Sequence, residues 1–175
     1  RIDDEYSGDL ELVRKALNGL IDAETKQLDA VVGLSSGRLD IAVPLRSDRD
    51  SMGKCIREMR EMLGSLLETC ETLTRGIVAG RLMTRADPKA QKGAYGQVLH
   101  QFNAVIGALV EHIDAIPQMA TIVDKDFNVQ FMNRKALEMT ETTREKAIGS
   151  KCYDLIRSSD CRSANCSCAK AMKDG

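Results

Sequence analysis

The chain repeats itself. Displaced by 43 residues, Gly33 falls on Gly76, Gly37-Arg38-Leu39 on Gly80-Arg81-Leu82, Gly53 on Gly96, Gly64 on Gly107 and Leu66 on Leu109, without a gap. Met59, Met62 and Leu63 fall on Phe102, Val105 and Ile106 in the same frame. A displacement of 85 residues carries Gly8 onto Gly93, Val13 onto Val98 and Leu17-Asn18 onto Phe102-Asn103. The first two thirds therefore hold two full units preceded by the second half of an earlier one. A fixed period restricts the fold to units that bury their apolar faces against one another.

The apolar spacing says which kind of unit. From Met52 to Ile77 the apolar positions run Met52, Ile56, Met59, Leu63, Leu66, Cys70, Leu73, Ile77, and the steps alternate four and three. Tyr95, Leu99, Phe102, Ile106, Leu109, Ile113 and Ile116 continue in the same way. That is the average 3.5-residue spacing of a left-handed coiled coil. Flanking Cys55, Met62, Leu67, Val98, Val105 and Val110 widen the stripe to the breadth a four-helix bundle needs. Aromatic residues make up only 3% of the chain, so the buried area has to come from aliphatic side chains on paired helices.

Two non-helical connectors interrupt the stripe, at roughly 35–49, with Gly37 and Pro44, and roughly 79–93, with Gly80, Pro88 and Gly93. About 15 extended residues reach over about 45 Å, whereas ten residues of helix cover about 15 Å. Each connector can therefore run back along its helix, and the two helices of a unit can be parallel. Leu39, Ile41 and Val43, and then Leu82 and Ala86, are the residues expected to pin it there. One chain then supplies two parallel helices per bundle, and a second copy must supply the other two. No proline lies between Met52 and Ile77, so the second helix of one unit is expected to continue as the first helix of the next. Gly64 and Gly76 each cost it about 1 kcal/mol.

Helix, connector with Gly-x-Leu, helix, in a parallel dimer, resembles HAMP domains, the relays of histidine kinases and methyl-accepting chemotaxis receptors. Gly37, Leu39 and Val43 carry the resemblance in one unit, and Gly80, Leu82 and Ala86 in the next. Tyr6-Ser7-Gly8-Asp9-Leu10 and Lys92-Gly93-Ala94-Tyr95 are similar to second-helix starts in poly-HAMP arrays of chemoreceptors. The acidic turn that commonly opens the second helix is present as Asp48-Arg49-Asp50 and missing before Tyr95. The resemblance implies a cytoplasmic relay acting as a parallel homodimer, with a downstream signalling domain, a histidine kinase and a coupling protein as partners. Ile56, Met59, Leu63, Leu99, Phe102 and Ile106 would then set the packing of the bundles.

Pro117 ends the helical pattern. Gln118 to Val123 is rich in strand formers, Asp124-Lys125-Asp126 is a turn, and Phe127 to Met132 alternates apolar and polar, which reads as a β-hairpin. Helices are expected around Arg134–Glu138, Thr143–Ala147 and Lys151–Arg157. Ala120-Thr121-Ile122-Val123-Asp124, Val129-Gln130-Phe131-Met132-Asn133 and Ala147-Ile148-Gly149 resemble the opening of a PAS sensor domain. Too few residues follow for the remaining strands of such a sheet. The expected fold is mainly α, with tandem parallel dimeric four-helix coiled-coil bundles followed by a partial α+β segment. Its divisions are half a unit in 1–24, full units in 25–68 and 69–112, and the sensor-like segment in 113–175.

Cys152, Cys161, Cys166 and Cys168 crowd the end of the chain. Soft thiolates suit zinc or an iron–sulfur cluster. A redox-switch disulfide and plain unliganded thiols are alternatives for the same four residues. As a whole protein this would be a redox- or metal-responsive sensor with the helices as a dimerisation stalk. Cys55 and Cys70 lie along the apolar stripe and read as core.

His100 and His112 lack a neighbouring Cys or carboxylate at ligand spacing, and the chain has no Gly-rich phosphate loop, triad or nucleophile elbow. The expectation is that it is not an enzyme. A net charge of -1 gives nucleic acid no bulk attraction. No apolar run is long enough to span a bilayer, so no membrane contact is expected within the chain. Its start, Arg1-Ile2-Asp3-Asp4-Glu5, lacks Met and an apolar leader, as expected of a piece of a longer receptor.

Overall fold

The computed structural model describes residues 1–4 and 7–174; Tyr6, part of the N-terminal motif above, lies outside them. The chain divides into two compact units, Arg1–Leu67 and Glu68–Gly175. Helix α1 spans Asp9–Ser35, α2 Ser51–Val78 and α3 Ala94–Asp114, with a single 3-10 turn at Pro88–Ala90. Strands β1 (Thr121–Val123) and β2 (Val129–Met132) follow, and then short helices α4 (Arg134–Met139), α5 (Arg144–Ala147), α6 (Cys152–Ile156) and α7 (Ser167–Asp174). The chain is mainly helical with a small sheet, as the periodicity predicts.

In the first unit, α1 stops at a glycine-dependent cap. Gly37 sits at φ 81°, in the left-handed region that side chains avoid. Its N–H donates to the Leu34 carbonyl, and the N–H of Arg38 donates to that of Gly33. This paired closure satisfies the orphan carbonyls of the last turn. The connector then runs back along α1. Ile41 presses on Gly33 so closely that a Cβ there would lie 3.0 Å from Ile41 Cγ2. Farther along, Asp50 reaches Gln27 of α1, whose Nε2 donates to its carboxylate at 2.6 Å. From that point α2 rises. Arg57 donates to the Val43 carbonyl at 3.0 Å and Arg60 to the Ile41 carbonyl at 3.1 Å. Advancing along α2 thus retraces the connector and accompanies α1 from Gln27 towards Gly33, so the two helices run parallel. Ala30, Leu34, Val43 and Ile56 form the buried core between them, with Leu39, Ile41 and Leu63 packed on it.

The second unit repeats this path with the rest of α2 and with α3. Gly80 sits at φ 79°. Its N–H donates to Ile77 and that of Arg81 to Gly76, the same closure 43 residues on. Thr84 takes the place of Ile41, 3.1 Å from where a Cβ of Gly76 would stand. Gly96 is crowded by the Pro88 and Gln91 carbonyls, each 2.8 Å from an added Cβ, as Gly53 is crowded by Asp50 and Leu45. Gly8 and Gly93 open α1 and α3 with nearly identical backbones, φ 64° ψ -136° and φ 58° ψ -133°. Asn103 holds the connector by accepting from the Ala86 N–H at 2.9 Å and donating to its carbonyl at 2.8 Å. Asn18 holds Ile2 through the same pair of bonds, at 2.8 and 2.9 Å. The N-terminal residues follow the pattern of a connector's end.

Three details differ from the sequence expectations. Helix α3 ends at Asp114, three residues before Pro117, and Ile116 lies beyond it, exposed. Residues 118–120 do not pair as strand, because the amide and carbonyl of Ala120 go to Asn133. Strand β2 starts at Val129 because Phe127 turns at φ 65° and Asn128 is held in the turn by Asp124. The two strands pair antiparallel, Thr121 with Met132 and Ile122 with Phe131, with an irregularity before Val123.

Crowding separates the glycines into two classes. Gly53→Ala is expected to lower unfolding free energy by about 1–3 kcal/mol through overpacking. Gly19→Ala, where nothing lies within 4 Å of the added methyl, should raise it by about 0.5–1 kcal/mol. Urea unfolding of both variants beside the parent tests the contrast.

Candidate functional site

The connector residues singled out in the sequence occupy equivalent places. Val43 and Ala86 are buried, Leu39 and Leu82 half-buried, and Gly37 and Gly80 form the helix caps. The packing residues fall into matched pairs. Ile56 and Leu99 are buried (6% and 0% exposed), while Met59 and Phe102 are open (46% and 43%). Ile106 is buried and its counterpart Leu63 half-buried. Leu10, Leu17, Leu28 and Val32 on α1, and Val98, Val105 and Leu109 on α3, are also exposed. A single chain covers one side of each apolar stripe and leaves the other to solvent.

Polar residues that spacing does not mark hold the connectors in place. Asp50 sits almost wholly buried at the start of α2. Its carboxylate accepts from the backbone N–H of Arg46 at 2.8 Å and of Gly53 at 3.0 Å, and from Gln27 and the Arg46 guanidinium. The backbone bond from Arg46, then that from Gly53, holds the carboxyl far below the usual carboxylate range. The cue in the sequence was Asp48-Arg49-Asp50, in which the third residue does the capping.

A second cluster lies where α3 meets the C-terminal segment. The Asp114 carboxylate accepts from the Arg144 guanidinium at 2.7 and 2.9 Å and from the Arg134 backbone N–H at 2.9 Å. Both ionic side chains are largely shielded, Arg144 19% and Asp114 11% exposed. Arg144 also donates to the Met132 carbonyl and lies 5.1 Å from the centre of the Phe131 ring. Asn133, fully buried, donates to the carbonyls of Ile113, Ile116 and Gln118 and accepts from the N–H groups of Ala120 and Ala136. The end of α3 is thus clasped to the β2–α4 corner through charge-assisted and fully buried bonds. Gly80 lies against Ile122 of the hairpin, so closely that a Cβ would collide with Ile122 Cγ2. Asn133 closes the motif that begins at Val129, but Asp114 and Arg144 belong to no local motif. They are distant in sequence, and only the fold brings them together.

Of the four C-terminal cysteines, Cys152 and Cys168 meet at the core of this segment. Cys152, in the core with Val129, Met132, Ala136 and Ala147, has Cys168 packed against that core. Cys168, and then Cys166 and Cys161, are near enough to Cys152 to act on its thiol electrostatically. All four are free thiols. Burial first, and then the neighbouring sulfurs, pushes the Cys152 thiol up to about 11; burial and Cys166 raise Cys168. Cys152 and Cys166 share a cavity of about 240 Å³ with Phe127, Tyr153 and Arg162. Among the described residues no group of three or more His, Cys, Asp or Glu side chains is already arranged to hold a metal ion. Helix α7, which carries Cys168, is absent from the sequence expectations. By contrast Cys55 is exposed and Cys70 half-buried, so neither belongs to a core within one chain.

Residues 113–175 match the family model described as the PAS fold. No curated protein and no solved structure matches the chain. The match covers the hairpin, the α4–α6 region and the cysteine cluster, and it points to a sensing or signal-transducing role for that segment. Among the described residues no helix is long and apolar enough to cross a membrane.

Two expectations follow. Asp114→Ala, which strips Arg144 of its partner, should lower unfolding free energy by about 1–3 kcal/mol and shift the amide NMR signals of residues 130–136. Asp50 has a depressed folded-state pKa, so its contribution is complete above the unfolded value of about 3.9 and is lost as pH falls below it. Amide exchange of Arg46 and Gly53 should therefore accelerate between about pH 4 and pH 2. In Asp50→Asn that acid dependence should vanish.

Proposed function

We propose that this chain is a non-enzymatic signal relay that works as a parallel homodimer. In this reading α1 with α2, and α2 with α3, pair with their copies as stacked HAMP-type four-helix bundles. The C-terminal PAS-like segment is joined to the last bundle by the Asp114–Arg144–Asn133 clasp. The receptor class would be a chemoreceptor or related cytoplasmic transducer, passing its state to a downstream signalling domain, with a histidine kinase and coupling protein as eventual partners.

The observation that carries the proposal is the divided stripe. Two pairs of positions 43 residues apart share their fate, with Ile56 and Leu99 buried and Met59 and Phe102 exposed. Two parallel helices with a bare apolar seam on each are half of a four-helix core. A second copy related by a two-fold axis along the helices supplies the same seam to complete it. Bundles of this kind have alternative packings of similar energy, and a helix shared between two of them transmits a shift as a rigid element. Helix α2 is continuous from Ser51 to Val78 and belongs to both repeats.

The test is distance between subunits. Spin-labelled residues placed genetically at Ser65 and, separately, at its counterpart Ala108 leave the six native cysteines untouched. Pulsed dipolar spectroscopy should give a short, narrow distance at each position, and the two distances should differ if the bundles occupy different packings. Absence of dipolar coupling at both positions would remove the parallel dimer, and the relay with it.

A further inference from the structure

We propose that the β1–β2 hairpin is an intramolecular latch: fixed to the end of α3, it rests on the glycine cap of α2 through a contact that opens when the two helices shift along one another. The proposal deepens the relay reading by naming what the C-terminal segment registers. Every residue in it nevertheless lies within one chain and one compact unit.

The repeat supplies the comparison. Gly37 and Gly80 form the same cap, at φ 81° and 79°. Nothing lies within 4 Å of where a Cβ of Gly37 would stand. Gly80 is covered. Ile122 Cγ2 rests on its backbone, and Gln130 Cβ lies 3.4 Å from the position of an added Cβ. Gln130 donates to Asp124 in the hairpin turn at 2.8 Å, so the cap faces the body of the hairpin and not a loose side chain. Of two equivalent caps, the C-terminal segment occupies the nearer one.

A line of contacts crosses from that cap to α3. Ile122 stands opposite Phe131 in the strand ladder. The Arg144 guanidinium lies 5.1 Å from the centre of the Phe131 ring and pairs with the Asp114 carboxylate. Asn133, two residues beyond Phe131, donates to the carbonyls of Ile113 and Ile116. The hairpin therefore stands between the end of α2 and the end of α3, with an attachment to each.

The two attachments differ in stiffness. On the α3 side they are charge-assisted and buried hydrogen bonds, which are directional and whose rupture would leave shielded polar groups unpaired. On the α2 side an aliphatic side chain touches bare backbone. That contact has no preferred direction, and a gap of about 0.5–1 Å already forfeits a quarter to a half of it. Ile122 is 37% exposed, so water can enter where it parts. Helices in switching proteins commonly shift by about 1–2 Å. Such a shift of α2 against α3 carries the hairpin with α3 and lifts Ile122 from Gly80. The bonds that close the cap, Gly80 N–H to Ile77 and Arg81 N–H to Gly76, then lose their cover. An offset between two parallel helices becomes an open or a closed contact at one strand.

The experiment uses the full chain with isotope-labelled isoleucine methyl groups. In the parent, NMR relaxation dispersion should appear at Ile122 and Ile77, on either side of the latch, and be absent at Ile113, at the end of α3, and at Ile148, within the segment. Ile122→Ala should abolish the dispersion at Ile77 and make the Gly80 and Arg81 amides exchange about 5- to 30-fold faster. The Gly37 and Arg38 amides of the uncovered cap, and the Arg134 amide that donates to Asp114, should be unchanged. Absence of dispersion at Ile122 and Ile77, its spread to Ile113 and Ile148, or unaltered exchange at Gly80 and Arg81 would each overturn the proposal. The parent measurement needs no substitution, so it decides the matter even if Ile122→Ala folds poorly. Loss of the dimer in the spin-label experiment would remove the relay and leave the latch to be judged on these readings.

Discussion

Everything in the helical part depends on one connector geometry. A left-handed glycine ends the helix, and the chain doubles back. A small buried side chain, Val43 or Ala86, anchors it under the next helix. Without that return path the helix that follows would start at the far end of its predecessor and run antiparallel to it. With it, the two helices begin at a shared level and stay parallel. The glycines at 33, 53, 76 and 96 are the counterpart of the same constraint. Gly53 and Gly96 stand where neighbouring atoms leave no room for a methyl group, and Gly33 and Gly76 where a methyl would fit only tightly. The repeat in the sequence is thus largely a repeat of steric allowances.

The C-terminal segment is organised on a different principle. Its core is small, built from Val129, Met132, Ala136, Ala147 and Cys152, and much of its definition comes from polar side chains acting as substitutes for missing backbone partners. Asp124 gathers two backbone N–H groups and the side chains of Asn128 and Gln130 to close the hairpin turn. Asn133 does the same for the approach to β1. Such residues bind the segment to the end of α3, so a displacement of that helix end would be felt at the β2–α4 corner first.

The helices, connectors and hairpin were legible because their causes are local and periodic: alternating steps of four and three, glycine after the last apolar position, strand formers flanking Asp124-Lys125-Asp126. Helix α7 was not, because Ser167-Cys168-Ala169-Lys170 follows a glycine-free, cysteine-rich stretch with no apolar period to announce it. The clasp was hidden for another reason. Asp114 and Arg144 are thirty residues apart, and an Asp–Arg pairing has no preferred spacing in sequence. The cysteines were visible as a group, but which of them meet depended on α7. The family match supports the sensor-like end, while the bundle assembly rests on the divided stripe.

The two connectors follow the same path but are fastened by different chemistry. The first is held by ions: the Asp50 carboxylate and the guanidinium groups of Arg57 and Arg60 on its carbonyls. The second is held by an amide, Asn103, which grips both backbone groups of Ala86 as a neighbouring strand would. Amides neither titrate nor attract counter-ions, whereas the exposed parts of the ionic fastening are screened as salt rises. Two modules of one shape therefore answer to different solution conditions, and a chain built from near copies carries a built-in asymmetry in which of its joints the surroundings can loosen.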